Sequence, residues 1–186
     1  MSIRYSGSHN FEARNRIRSR RLEGFKPTDN LSPSETAAVV SAWTRDSFVD
    51  SWKYDSLDGS EDFSGEIKDT FAPMDVYVDK KHRLVSISYL GLNQRDIDSL
   101  VEFGLSSRND ADEAFVEDIG QELHEGFYNE HYMDVVEMDM PVTQVELEKE
   151  LDACKRQALD AYDRLESAFY DAVEGVRESR IRRRRR

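Results

Sequence analysis

The chain has 186 residues, of which 38% are hydrophobic and 34% charged, and its formal net charge is −12. That length supports one ordinary domain with extensions, and its 2 Trp, 8 Tyr and 9 Phe supply bulk for a modest core. No run approaches the ~18 apolar residues of a membrane span, and the overall negative charge disfavours non-specific adhesion of the whole molecule to nucleic acid.

The charge is divided sharply along the chain. Residues 1–26 carry 7 Lys and Arg against 2 acids, residues 27–140 carry 8 against 26, and residues 141–186 carry 11 against 10. A single cysteine, Cys154, excludes an internal disulfide. With no apolar secretory core at the N-terminus, an intracellular, cytoplasmic setting is expected.

In chain order, residues 1–30 read as a basic arm. Arg14, Arg16, Arg18 and Arg20 alternate around Ile17 and are followed by Arg21; extended or helical, they present a basic stripe suited to phosphates or to an acidic protein. Leu31-Ser32-Pro33-Ser34-Glu35 is the clearest helix start, with an N-cap serine, proline at the first helical position and Glu35 to close a capping box. The helix is expected to run to about Lys53. The thirteen residues from Leu31 to Trp43 resemble the opening helix of a globin, but the strand pattern after Phe71 does not fit the further long helices that such a fold needs.

Asp55 to Pro73, rich in Asp, Ser and Gly, reads as a solvated acidic loop. Its calcium-loop spacing fails because Phe63 stands where the sharp turn needs glycine. Val76 to Val78 and Leu84 to Leu90 read as a hairpin, the second strand alternating Val85, Ile87 and Tyr89 with serines. Asn93 caps a short helix near 94–103. Asp110 to Tyr132 reads as an acidic amphipathic helix with Phe115, Ile119, Leu123 and Phe127 on its apolar stripe and Glu117, Asp118, Glu122 and Glu125 as a candidate acidic face for a partner. Val136, Met138 and Met140 supply a third strand, which Pro141 stops.

From Pro141 onward the pattern is one long helix. Leu147, Leu151, Cys154, Ala158, Ala161, Leu165, Ala168 and Ala172 recur with the four-three alternation of a single face. The small residues allow close helix-to-helix approach, so Leu151, Cys154, Ala158, Ala161, Leu165 and Ala168 are a candidate surface for antiparallel homodimerisation, or else a face buried in the same chain. The chain then ends in Arg177, Arg180 and the run Arg182, Arg183, Arg184, Arg185 and Arg186. A cluster of planar guanidinium forks matches the phosphates of a nucleic-acid backbone. Aromatic residues that would stack on bases are absent from both basic ends, so backbone contact without sequence specificity is expected.

No catalytic signature accompanies these features. His124 and His131 are two helical turns apart, too far to share a metal, and there is no phosphate loop, nucleophile elbow or histidine paired with Cys154. The expectation is an α+β fold, a small antiparallel sheet from 74–90 and 134–140 packed by helices, with core 31–140, long helix 141–180 and poly-Arg tail 181–186. The expected function is a non-enzymatic accessory protein, of viral or mobile-element type, that contacts nucleic-acid backbone through its arginine-rich ends and a protein through its acidic body. It needs no cofactor or metal. The alternatives are an acidic nucleic-acid mimic that blocks a basic enzyme cleft, and an enzyme of unrecognised class.

Overall fold

The computed structural model describes residues 26–49, 53–70, 72–106 and 130–184. They form an α+β fold: helix α1 (Pro33–Ser47), strands β1 (Lys53–Leu57), β2 (Ser60–Glu66), β3 (Pro73–Asp79) and β4 (Leu84–Leu90), helix α2 (Gln94–Ser106), a 3-10 turn at Glu130–Tyr132, strand β5 (Met133–Asp139) and helix α3 (Gln144–Arg184). The strands make one five-stranded antiparallel sheet in the order β1-β2-β3-β4-β5.

Each described helix starts on a reciprocal cap, and each cap is legible in the chain. Ser32 and Glu35 form the capping box of α1. At α2 the Asp96 backbone N–H donates to Asn93 Oδ1 while the Asn93 N–H donates to the Asp96 carboxylate. Thr143 and Glu146 repeat the exchange at α3. A cap of this kind contributes ~1 kcal/mol and fixes where the helix begins. The entries to α1 and α3 are also strapped together: the Leu31 N–H donates to the Val142 carbonyl at 2.8 Å, and Asn30 bridges Thr143.

The period of two along the strands decides which side of the sheet is dry. Phe63, Met74, Val76, Val78, Val85 and Ile87 point to one face and are fully buried. Onto that face α1 lays Val39, Val40 and Trp43, and α3 lays Leu147, Leu151, Cys154, Ala158, Ala161 and Leu165. Cys154, Ala158 and Ala161 are the small members of this stripe, and they let the α3 backbone come close to β4. Long-range hydrogen bonds pin the helix, among them Trp43 Nε1 donating to Asp152 Oδ1 and the Tyr89 hydroxyl donating to Gln157 Oε1. Helix α2 packs against α3 further along, with Ile97 and Leu100 buried.

Two expectations need correction. The first helix ends at Ser47 and not near Lys53, because Phe48 turns extended, bridges Ile67 and stacks edge-on against Trp43 at 5.8 Å. The supposed acidic loop after Asp55 is largely the β1–β2 hairpin. Its turn is Asp58-Gly59, with φ of 45° and 90°, the left-handed pair that a tight two-residue hairpin requires. Polar residues are tolerated there because β1 is an edge strand with every residue exposed, and only Phe63 of β2 is buried. The expected helix over 110–131 lies outside the described residues, except for the 3-10 turn at its end.

Candidate functional site

The C-terminal end of α3 is the first candidate. The last buried residue of the helix is Val173, yet the helix continues through Arg184. These eleven further residues extend about 16 Å at ~1.5 Å each, so the helix end projects from the packed body. The expected boundary between helix and tail at residue 180 is not a structural break: no proline intervenes, arginine is a good helix former, and cations complement the negative end of the helix dipole. Arg177, Arg180, Arg182, Arg183 and Arg184 all fall within α3. Arg182 is exposed and pairs with Glu178 one turn back at 3.1 Å. Arg185, Arg186 and the arm residues Arg14, Arg16, Arg18, Arg20 and Arg21 lie outside the described residues.

The candidate self-association face is occupied from within the chain. Leu151, Cys154 and Ala158 are 0% exposed, and Ala161 and Leu165 are 1% exposed; Ala168 is half-buried against the same core. Their apolar period marks the seam between helix and sheet, so these five residues offer no surface to a second copy. Burial beside Glu150 pushes the Cys154 thiol up to about 11, which keeps it protonated and unreactive.

The second candidate was not foreseen. Among the described residues, helices α1 and α3 cover one face of the sheet. The opposite face carries Asp55, Asp62, Asp75, Glu137 and Asp139 around a partly exposed Tyr77, which β2 places beside Asp62. Asp55 stands directly opposite Asp62, and Asp75 is diagonal to it. Like charges at such positions repel. Burial and then Asp62 push the Asp75 carboxyl up to about 6, and burial and then Asp55 raise that of Asp62. Among the described residues no cation is in ion-pair contact with any of the five. Asp79, also on this face, is committed instead to its turn: hydrogen bonds from the His82 backbone N–H and ring hold its carboxyl below the usual range. The alternation of acids in β1, β2 and β5 is a readable signal once the Asp58-Gly59 turn is recognised. The face foreseen for a partner, Glu117, Asp118, Glu122 and Glu125, lies outside the described residues.

A shallow polar cleft of about 620 Å³ lies where the loop after β4 meets α3, lined by Asn93, Asp96, His131, Asp134, Arg156 and Arg164 among others. Arg164 donates to the Leu92 carbonyl at 2.8 Å and pairs with Asp160 at 3.2 Å. Its charges largely offset one another, and no hydroxyl, thiol or amine side chain is among its described lining residues. Among the described residues no group of three or more His, Cys, Asp or Glu is placed to hold a metal, and no helix is long and apolar enough to cross a membrane. Comparison with protein-family models, with curated proteins and with solved structures finds no match to this chain.

Proposed function

We propose that the protein is a non-enzymatic accessory factor, of the kind encoded by viruses and mobile elements, that grips nucleic-acid backbone with its arginine-rich helix end and meets a basic protein with its acidic body. The observation that carries the reading is the projection of α3 as helix through Arg184, beyond its last buried residue. A rod that leaves the body carrying Arg177, Arg180, Arg182, Arg183 and Arg184, with Arg185 and Arg186 next in the sequence, separates a phosphate-binding element from the acids that would repel the duplex. Phosphate contact of this kind is independent of sequence and depends steeply on salt, by about 0.7–0.9 log units per contact for each tenfold change.

The test is deletion of Ile181 to Arg186 followed by binding to a generic duplex at low salt. Affinity is expected to fall at least about tenfold, from the loss of several phosphate contacts. Unfolding should be unchanged, because among the described residues none beyond Val173 belongs to the buried core. Equal affinity with and without these residues overturns the nucleic-acid half of the reading.

A second reading, an acidic nucleic-acid mimic, draws on the open sheet face with its unpaired carboxylates. Under it the intact protein binds no duplex and competes with duplex for a basic protein. The same binding experiment separates the two.

A further inference from the structure

We propose that the open face of the sheet docks an extended basic segment of a partner protein, with an arginine or lysine stacked on Tyr77 and held by Asp62 and Asp75. The inference rests on the protein-partner half of the function proposed above and gives it a location.

Three properties of the face argue for this occupant. The first is its unmatched charge. Among the described strand residues, Asp55, Asp62, Asp75, Glu137 and Asp139 share it with Glu66, the turn-bound Asp79 and one cation, Lys53, which lies in the same row as Asp75. Placing Asp55 against Asp62 and Asp62 diagonal to Asp75 costs folding energy, and no described residue repays it with an ion pair. Burial first, and then that repulsion, raises the carboxyls of Asp62 and Asp75. A cation arriving from outside relieves it, so the face is complementary to positive charge and hostile to another copy of itself.

The second property is an aromatic centre. Tyr77 is 38% exposed, with Asp62 beside it on β2 and Asp75 two residues away on its own strand. A guanidinium or ammonium over a tyrosine ring gains about 0.5–1 kcal/mol even at an exposed site, and carboxylates on two sides fix its position. Val135 is 56% exposed on the same face and gives the stem of a long side chain an apolar rest.

The third property is size. Five strands at ~4.8 Å and about seven residues at ~3.3 Å make a face on the order of 500 Å². A standard interface buries about 800 Å² per partner, so this face suits one segment of about six to eight residues better than a whole folded surface.

The test is a titration of the isotope-labelled full-length protein with a capped octa-arginine peptide at low salt, followed by amide chemical shifts. Shifts are expected to centre on Tyr77, Ser86 and Ser88. The double variant Asp62→Asn, Asp75→Asn should weaken binding at least about tenfold, and it remains foldable because it removes repulsion. The control Asp171→Asn, Glu174→Gln, two exposed acids on α3, should change it less than about twofold. Equal weakening by both pairs, or shifts spread over every acidic surface, overturns the location while leaving an acidic partner-binding body intact. No binding by the native chain or by the variant with Arg14, Arg16, Arg18, Arg20 and Arg21 replaced by Gln overturns the acidic-body reading as well, and duplex binding by the helix end is then judged separately. If peptide binds only after Arg14, Arg16, Arg18, Arg20 and Arg21 are replaced by Gln, the face belongs to the chain's own arm and the external partner is overturned.

Discussion

Asp75 sits mid-strand on β3, half-buried, with Ser64 and Ser88 as its cross-strand neighbours and Asp62 on the diagonal. Its carboxyl titrates at about 6 in place of 3.8, so between those values the folded chain binds more protons than the unfolded one. Stability contributed by this group therefore falls as pH rises through that window, and Asp75 opposes folding at neutral pH. Asp75→Asn should stabilise the protein by about 1 kcal/mol at pH 7.5, after allowance for solvent screening, and by almost nothing at pH 3.5. Denaturant unfolding at the two pH values measures this, and an equal gain at both would assign the effect to something other than charge. None of this was legible at the sequence level. Asp75 precedes Val76 in a segment recognisable as a strand, but Asp62 and Asp55 fall in a stretch whose composition reads as a loop, and a diagonal pair exists only once the register is known.

Elements were legible where one physical signal dominated. The capping box at Ser32 and Glu35, the alternation of Val85, Ile87 and Tyr89, and the long stripe from Leu147 to Leu165 each specify an element without tertiary help, and all three form. The β1–β2 hairpin was missed because composition outweighed turn chemistry: Asp, Ser and Gly suggest a loop, while Asp58-Gly59 between alternating residues specifies a tight turn. The partner of the α3 stripe was likewise not fixed by the stripe. A seam of Leu, Cys and Ala fits a second helix or a sheet, and only the fold assigns it to β4. The turn supplies an element-scale test. Gly59 has φ of 90° and nothing near its absent side chain, so Gly59→Ala meets backbone strain and no clash. It should cost about 1 kcal/mol in hairpin closure and lower hydrogen-exchange protection in β1 and β2, with the β3–β4 amides unchanged. Protection lost equally across all strands would mean that the hairpin is an integral part of the core.

At the scale of the whole molecule the chain is electrically bipolar. The acidic sheet face belongs to the packed body, and the arginines stand on a helix end about 16 Å beyond the last buried residue of α3, from eleven residues at ~1.5 Å each. Whether the two poles sense each other depends on the solvent, because the screening length is about 30 Å at 0.01 M salt and about 8 Å at 0.15 M. In dilute buffer the field of the body reaches the helix end and opposes the approach of a polyanion. Near physiological ionic strength the projecting turns lie outside that field, and under the proposed function the arginines would meet phosphate as an independent basic element. Neutralising Asp55, Asp62, Glu137 and Asp139 together, as Asn and Gln, should therefore tighten duplex binding several-fold at about 0.01 M salt and leave it unchanged within about twofold at 0.15 M. The slope of log affinity against log salt should become steeper in the variant, because the long-range repulsion that weakens binding at low salt has been removed. An affinity gain of the same size at both salt concentrations would place the acids in direct contact with the duplex path, and the separation of the two poles along α3 would then have no functional meaning.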